Sequence, residues 1–173
     1  MQDCCGEPSS DRPHVCPECG RPGREIERIT LKALLRPAAL VRLGPGAYRF
    51  CATRECRTVY YGPTDCFVRE DVTLPVFQKE PEGGRTICYC FAVSEDEVRD
   101  EVAATGHSRT AERIRGLVQD GRCACEVRNP QGSCCLGNVS AVASAVRTRS
   151  ERTLVGVGPG SSAGRLMVLP EWS

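Results

Sequence analysis

The chain has 173 residues and a formal net charge of +1, from 23 basic and 22 acidic side chains. That length suits one domain or two small ones, and the interleaved charges argue against a nucleic-acid binder, which would carry a basic stripe. Aromatic residues make up 5% against 17 glycines and 12 prolines, a composition that gives a modest core with many turns, which bound metal would stabilise.

Residues 1–13 are polar and proline-containing, and they read as a flexible leader bearing Cys4-Cys5. The opening Met1-Gln2-Asp3-Cys4-Cys5 shows neither a positive n-region nor an apolar h-region. No apolar run approaches the ~20 residues that span a membrane. The expected location is cytoplasmic, with no membrane partner and no nucleic-acid partner.

From residue 14 to about 80 the signals are strand and turn. Segments around Tyr48–Cys51, Thr58–Tyr61 and Val72–Phe77 are rich in β-branched and aromatic residues, with Gly-Pro punctuation between them. A short helix is expected at Thr30–Leu35, capped by Thr30 and stopped by Pro37. Glu80-Pro81-Glu82-Gly83-Gly84 reads as a linker. From about 84 to 148 the pattern is helical. Ser94-Glu95-Asp96-Glu97 forms a capping box that opens a helix reaching about Ala104, with Val98 and Val102 on one face. Ser108 or Thr110 caps the next helix, whose apolar stripe is Ile114, Leu117 and Val118. Val139–Val146 is a last amphipathic stretch, and 150–173 reads as a disordered tail. The expected fold class is α+β: a β-rich half resembling a zinc ribbon or treble clef at 14–80, then a helical half at 84–148.

Thirteen cysteines carry the chemistry. Their close pairing suits metals, which take two thiolates from one short turn, better than disulfides, which need no such pairing and leave an odd count open. Cys16-Pro17-Glu18-Cys19-Gly20 has the form of a zinc knuckle, with glycine relieving the left-handed residue after the second ligand. Cys51 and Cys56 sit between two expected strands. Together they offer four thiolates, a closed structural zinc site without an open catalytic position. His14 reads as a solvated histidine, and Cys66 as a small buried hydrophobe. In the second half, Cys88-Tyr89-Cys90 precedes a helix N-terminus, a location that favours an anionic centre. Cys123-Ala124-Cys125 and Cys134-Cys135 flank the turn Asn129-Pro130-Gln131-Gly132, which folds the segment back so that cysteines on either side can meet.

CYCF, SEDE and GRCACEVRNPQGSCCLGNV, over residues 86–139, resemble the iron–sulfur domain of the CopZ-type copper metallochaperones, and CPECG with FCxxxxC resembles their zinc half. The cluster half is also similar to the ferredoxin-like domains associated with bacterioferritin. The resemblance implies a [2Fe-2S] cluster on Cys88, Cys90, Cys125 and Cys135, and Zn2+ on Cys16, Cys19, Cys51 and Cys56. Cys123, Cys134, Cys4 and Cys5 are then auxiliary thiols suited to Cu+. Longer members carry a further domain with an MxCxxC copper loop. No such motif occurs here, Met167 being the only methionine besides Met1 and no cysteine following Cys135.

The expected function is therefore a metallochaperone in copper or other soft-metal handling, with the cluster reducing Cu(II) to Cu(I). Its partners are metal ions and a copper transporter or redox protein. The alternatives are a ferredoxin-like electron carrier and a structural zinc module. Enzymatic catalysis is not expected: the two histidines have unrelated neighbours, and no HExxH, Ser-His-Asp or phosphate-loop pattern occurs.

Overall fold

Aromatic and β-branched residues build a four-stranded antiparallel sheet in the order β1 (Arg24–Ile26), β2 (Tyr48–Phe50), β3 (Thr58–Tyr61), β4 (Cys66–Val68). The computed structural model describes residues 14–155. All four residues of β3 are buried, so this strand lies inside the fold rather than alternating between core and water. Between β1 and β2 run two short helices, α1 (Arg28–Leu34) and α2 (Pro37–Leu40). Leu31, Leu34, Tyr48, Phe50, Val59, Tyr60, Phe67 and Val76 meet in one apolar cluster.

This region differs from the sequence expectation at three places. Thr30 does not cap α1; it is buried inside the helix, its hydroxyl without a hydrogen-bond partner, and the N-cap is Glu27. Pro37 follows α1 but also opens α2, where its fixed φ and missing N–H cost nothing. Val72–Phe77 is not a strand: only Val72 pairs, through an isolated bridge to Leu35.

A second apolar cluster begins at Phe77 and draws on the helical part of the chain. Here β5 (Thr86–Cys88) and β6 (Val93–Ser94) form a small hairpin, an addition to the expected all-helical half. Helix α3 (Glu95–Thr105) starts at Ser94, whose Oγ accepts from the Glu97 amide at 3.1 Å, and ends on left-handed Gly106. Ser108 caps α4 (Arg109–Gln119) in the same way. Val98, Val102 and Ile114 are buried against Val139 and Ala143 of α6 (Leu136–Val155). A single turn, α5 (Cys125–Arg128), precedes the Asn129–Gly132 turn. Helix α6 continues through 150–155, where the sequence reads as the start of a tail. The leader and residues 156–173 lie outside the described residues. No helix among those described is long and apolar enough to cross a membrane.

The two apolar clusters are distinct, yet polar contacts bind them. Tyr60 Oη donates to Pro130 O at 2.7 Å in a buried bond, and Arg24 donates to Gln131 O at 2.7 Å. Gly132, at φ +65°, lies so close to Ile26 that a β-carbon would fall 2.7 Å from its side chain. Helix α1 packs on α5.

Candidate metal centres

The Cys16–Cys19 turn is tight because its backbone closes on itself: Gly20 N–H donates to Cys16 O, and Cys16 N–H to Arg21 O, both at 2.8 Å. Gly20 takes φ +68°, as expected of a glycine after the second cysteine. The second pair lies in the β2–β3 hairpin loop, Cys51 directly after β2 and Cys56 two residues before β3. Paired strands thus fix where both thiols stand. The sulfurs of Cys16, Cys19, Cys51 and Cys56 all lie within 4.8 Å of one another, with Cys16–Cys56 and Cys19–Cys51 each at 3.7 Å. Among the described residues this is the only such group of metal-binding side chains. Separations of this size are what a tetrahedral ion with ~2.3 Å Zn–S bonds requires. Cys16, Cys51 and Cys56 are buried and Cys19 half-buried, which describes a closed site. His14 is exposed and outside the group.

The surroundings tune the thiols unequally. The Thr53 hydroxyl, then the Arg21 amide, hydrogen-bonds to the thiolate and brings the Cys19 thiol down to about 6. Burial pushes Cys51 and Cys56 up, and Cys56 also donates to Glu18 at 3.2 Å. Glu18, inside the first turn, clasps the second: its carboxylate accepts from the Thr58 amide at 2.9 Å, Thr58 Oγ1 at 2.8 Å and the Arg57 amide at 3.2 Å. Lys79 is buried on the other side of that loop. Glu18, Thr53 and Lys79 were missed in the sequence reading. A glutamate between two ligands, and a rare lysine among arginines, are the signals that could have found them.

The other expected set is arranged differently. Cys88 ends β5 and Cys90 lies in the hairpin tip, where Ala92 adopts φ +53° to return the chain into β6. Cys90 meets Cys125 at 3.7 Å, and the Ala124 amide donates to Cys90 Sγ at 3.4 Å. Before the Asn-Pro-Gln-Gly turn, Cys125 thus stands against Cys90 of the CxC hairpin. Cys88 and Cys135 are both buried in the second apolar cluster. Their mutual influence lowers the Cys88 thiol to about 6 against the effect of burial, and with burial it pushes Cys135 far up. Cys123 is half-buried and Cys134 exposed. Cys66 is exposed, not the buried hydrophobe expected. Cys4 and Cys5 lie outside the described residues.

Tyr89, between Cys88 and Cys90, ties this hairpin down: its hydroxyl donates to Pro75 O at 2.6 Å and accepts from the Phe77 amide at 2.9 Å. The turn after Cys125 is held by Asn129 and Gln131, whose amides donate to Ser133 O at 2.7 Å and Cys134 O at 3.0 Å.

Residues 13–73 match the zf_CopZ family, a zinc binding domain. All four cysteines of the first centre lie within that span. The copper chaperone CopZ of Archaeoglobus fulgidus is 28% identical over 120 residues, 69% of this chain and 57% of its own length. The chain thus spans little more than half the length of that curated relative. The X-ray structure of the Archaeoglobus fulgidus CopZ N-terminal domain is similar at a TM-score of 0.63 and 26% identity, over 74% of this chain and 96% of that one. The four-sulfur site lies in the part of the chain, residues 13–73, that matches the zinc-binding domain model.

Proposed function

We propose that this protein is a zinc- and [2Fe-2S]-binding metallochaperone for copper, not an enzyme, working in the cytoplasm with a copper transporter or redox partner. The observation that carries this reading is the contrast between its two cysteine sets. One gathers four sulfurs around a single point, as a mononuclear zinc site needs. The other sets Cys90 against Cys125 at 3.7 Å and buries Cys88 and Cys135 in the adjoining apolar cluster, with no four-sulfur gathering among the described residues. A two-iron centre takes two thiolates per iron, so this donor set fits it.

When bound, the cluster would supply one electron per Cu(II), giving the Cu(I) that thiolates hold. The protein's own residues do the rest. Cys88 and Cys135 are buried, whereas Cys90 is half-buried and stands nearest to solvent for exchange with copper. The Ala124 amide and the Tyr89 anchor hold that hairpin in place. Cys123, Cys134, Cys4 and Cys5 are the spare soft thiols for the reduced ion.

Anaerobic purification followed by visible absorption and iron, sulfide, zinc and copper analysis is the first test. Zinc without iron or sulfide would leave a structural zinc module. Reduced protein mixed with Cu(II) is then expected to give one Cu(I) per cluster. Cys90→Ala, which removes a cluster ligand while sparing most free thiols, should reduce copper much more slowly. Equal rates would exclude the cluster as the electron source and favour a ferredoxin-like carrier or simple thiol chemistry.

A further inference from the structure

Only two of the 23 basic residues are lysines. One of them, Lys79, is 2% exposed. Its Nζ donates to Thr53 O at 2.9 Å and to Cys56 O at 3.0 Å, beneath the turn that joins Cys51 to Cys56. Among the described residues no carboxylate lies within 4.0 Å of it. A second cation, Arg69, donates to Arg54 O of the same turn at 2.9 Å. Two cations thus bind carbonyls of a loop that carries two buried thiols, while the Glu18 carboxylate accepts from Cys56, Arg57 and Thr58 at the end of that loop.

A buried ammonium satisfied only by carbonyl dipoles is costly, because desolvation removes more than those dipoles return. That cost is met when a formal negative charge stands close by. Zinc held by four thiolates leaves two such charges on the site, and three of the four sulfurs belong to buried residues. We infer that Lys79 is the built-in counter-cation of the four-cysteine centre, favouring its zinc-loaded form; the inference rests on the zinc reading of that site. Lysine suits the position where this arginine-rich chain would otherwise place arginine. Its ammonium is compact and its charge concentrated, and it reaches two carbonyls at the end of a thin apolar stem.

The alternative is that Lys79 merely braces the loop, and a charge-balance cycle separates the two. Zinc affinity is measured by chelator competition in wild type, Lys79→Met, Cys19→His and the double variant. Methionine keeps the apolar stem. Histidine at the half-buried Cys19 replaces one thiolate by neutral imidazole and removes one negative charge. Lys79→Met is expected to weaken zinc binding roughly 10- to 100-fold, as loss of a partner just outside the ligand shell does. The same change in the Cys19→His background should cost several-fold less.

An equal penalty in both backgrounds, or none in either, overturns the inference and leaves Lys79 a brace. Should Lys79→Met alone fail to fold, recovery in the Cys19→His background supports charge compensation, and failure in both overturns it. Wild type that binds no zinc at all would sink the zinc reading itself, a result separate from any of these.

Discussion

A carboxylate with no exposed surface stands at the first position of α3. Glu95 accepts from Arg85 Nε at 2.5 Å and from Arg99 Nη2 at 2.8 Å, and the Gly83 amide donates to it at 3.2 Å. Burial alone would raise its pKa, but the hydrogen bonds from Arg85 and Arg99 outweigh that and hold it near 2, down from 4.5. Arg85 in turn lies 4.0 Å over the Phe77 ring and donates to Phe77 O and Glu80 O, so Glu95 closes the linker onto the helix. Because the folded pKa is depressed, this stabilisation is complete above about 4.5 and is lost as the pH falls towards 2. Glu95→Gln is expected to cost on the order of 3 kcal/mol at neutral pH. In urea titrations, its deficit against wild type should shrink between about pH 5 and pH 3, and a deficit constant with pH would refute the charge-based account. Glu18 is held equally low, first by the Thr58 hydroxyl and then by Cys56 and the Thr58 and Arg57 amides. It is exposed, however, so its contribution is the position of the second cysteine turn rather than stability.

At the scale of elements, the CxC hairpin depends on one unfavourable residue. Ala92 is the only non-glycine with positive φ among the described residues, and its left-handed conformation costs roughly 1–2 kcal/mol. Ala92→Gly should relieve part of that and raise the urea midpoint slightly, the larger unfolded-state freedom of glycine offsetting the rest. Ala92→Val should lower it, and a Val variant as stable as wild type would mean the loop takes another path. Nothing in Cys-Tyr-Cys-Phe-Ala-Val announces this conformation, and the hairpin went unseen because β6 is only two residues long. The legible elements were those with a mechanism written into adjacent residues. Ser94 and Ser108 capped helices, Gly106 ended one, and the aromatic runs of β2 and β3 formed strands. Arg24-Glu25-Ile26 carries no period-two pattern and becomes β1 only by pairing with β2. Val72–Phe77 has strand composition, but Pro75 interrupts it and its polar groups go to Tyr89 and Leu34 instead. Of the candidate sites, the gathering of Cys16, Cys19, Cys51 and Cys56 was legible from spacing. The clasp by Glu18, the cation beneath the loop and the approach of Cys90 to Cys125 all depend on contacts between distant segments.

Across the whole molecule, the two cysteine-rich regions share a short stretch of backbone. Pro75 and Phe77 hold Tyr89 between Cys88 and Cys90, and two residues later Lys79 holds the Cys51–Cys56 loop. From the opposite side, the turn leading to Cys135 docks on the sheet through Tyr60 and Arg24 and packs Gly132 on Ile26. The sequence suggested a shared core because each half is small. What joins the halves is instead a set of hydrogen bonds, that of Tyr60 buried, together with the packing of α1 on α5, between two separate apolar clusters. Such bonds lose their value once either surface moves, because a buried donor or acceptor left alone costs about 1–3 kcal/mol. Removing the zinc ligand Cys51 should therefore disturb more than the sheet. Cys51→Ser is expected to release zinc and to speed amide hydrogen exchange in residues 48–68. Through Tyr60 and Lys79 it should also speed exchange in residues 75–90 and 129–135, while residues 109–119 of α4, which touch neither latch, stay protected. Faster exchange confined to 48–68 would mean that the halves fold independently and that the contacts between them carry no coupling.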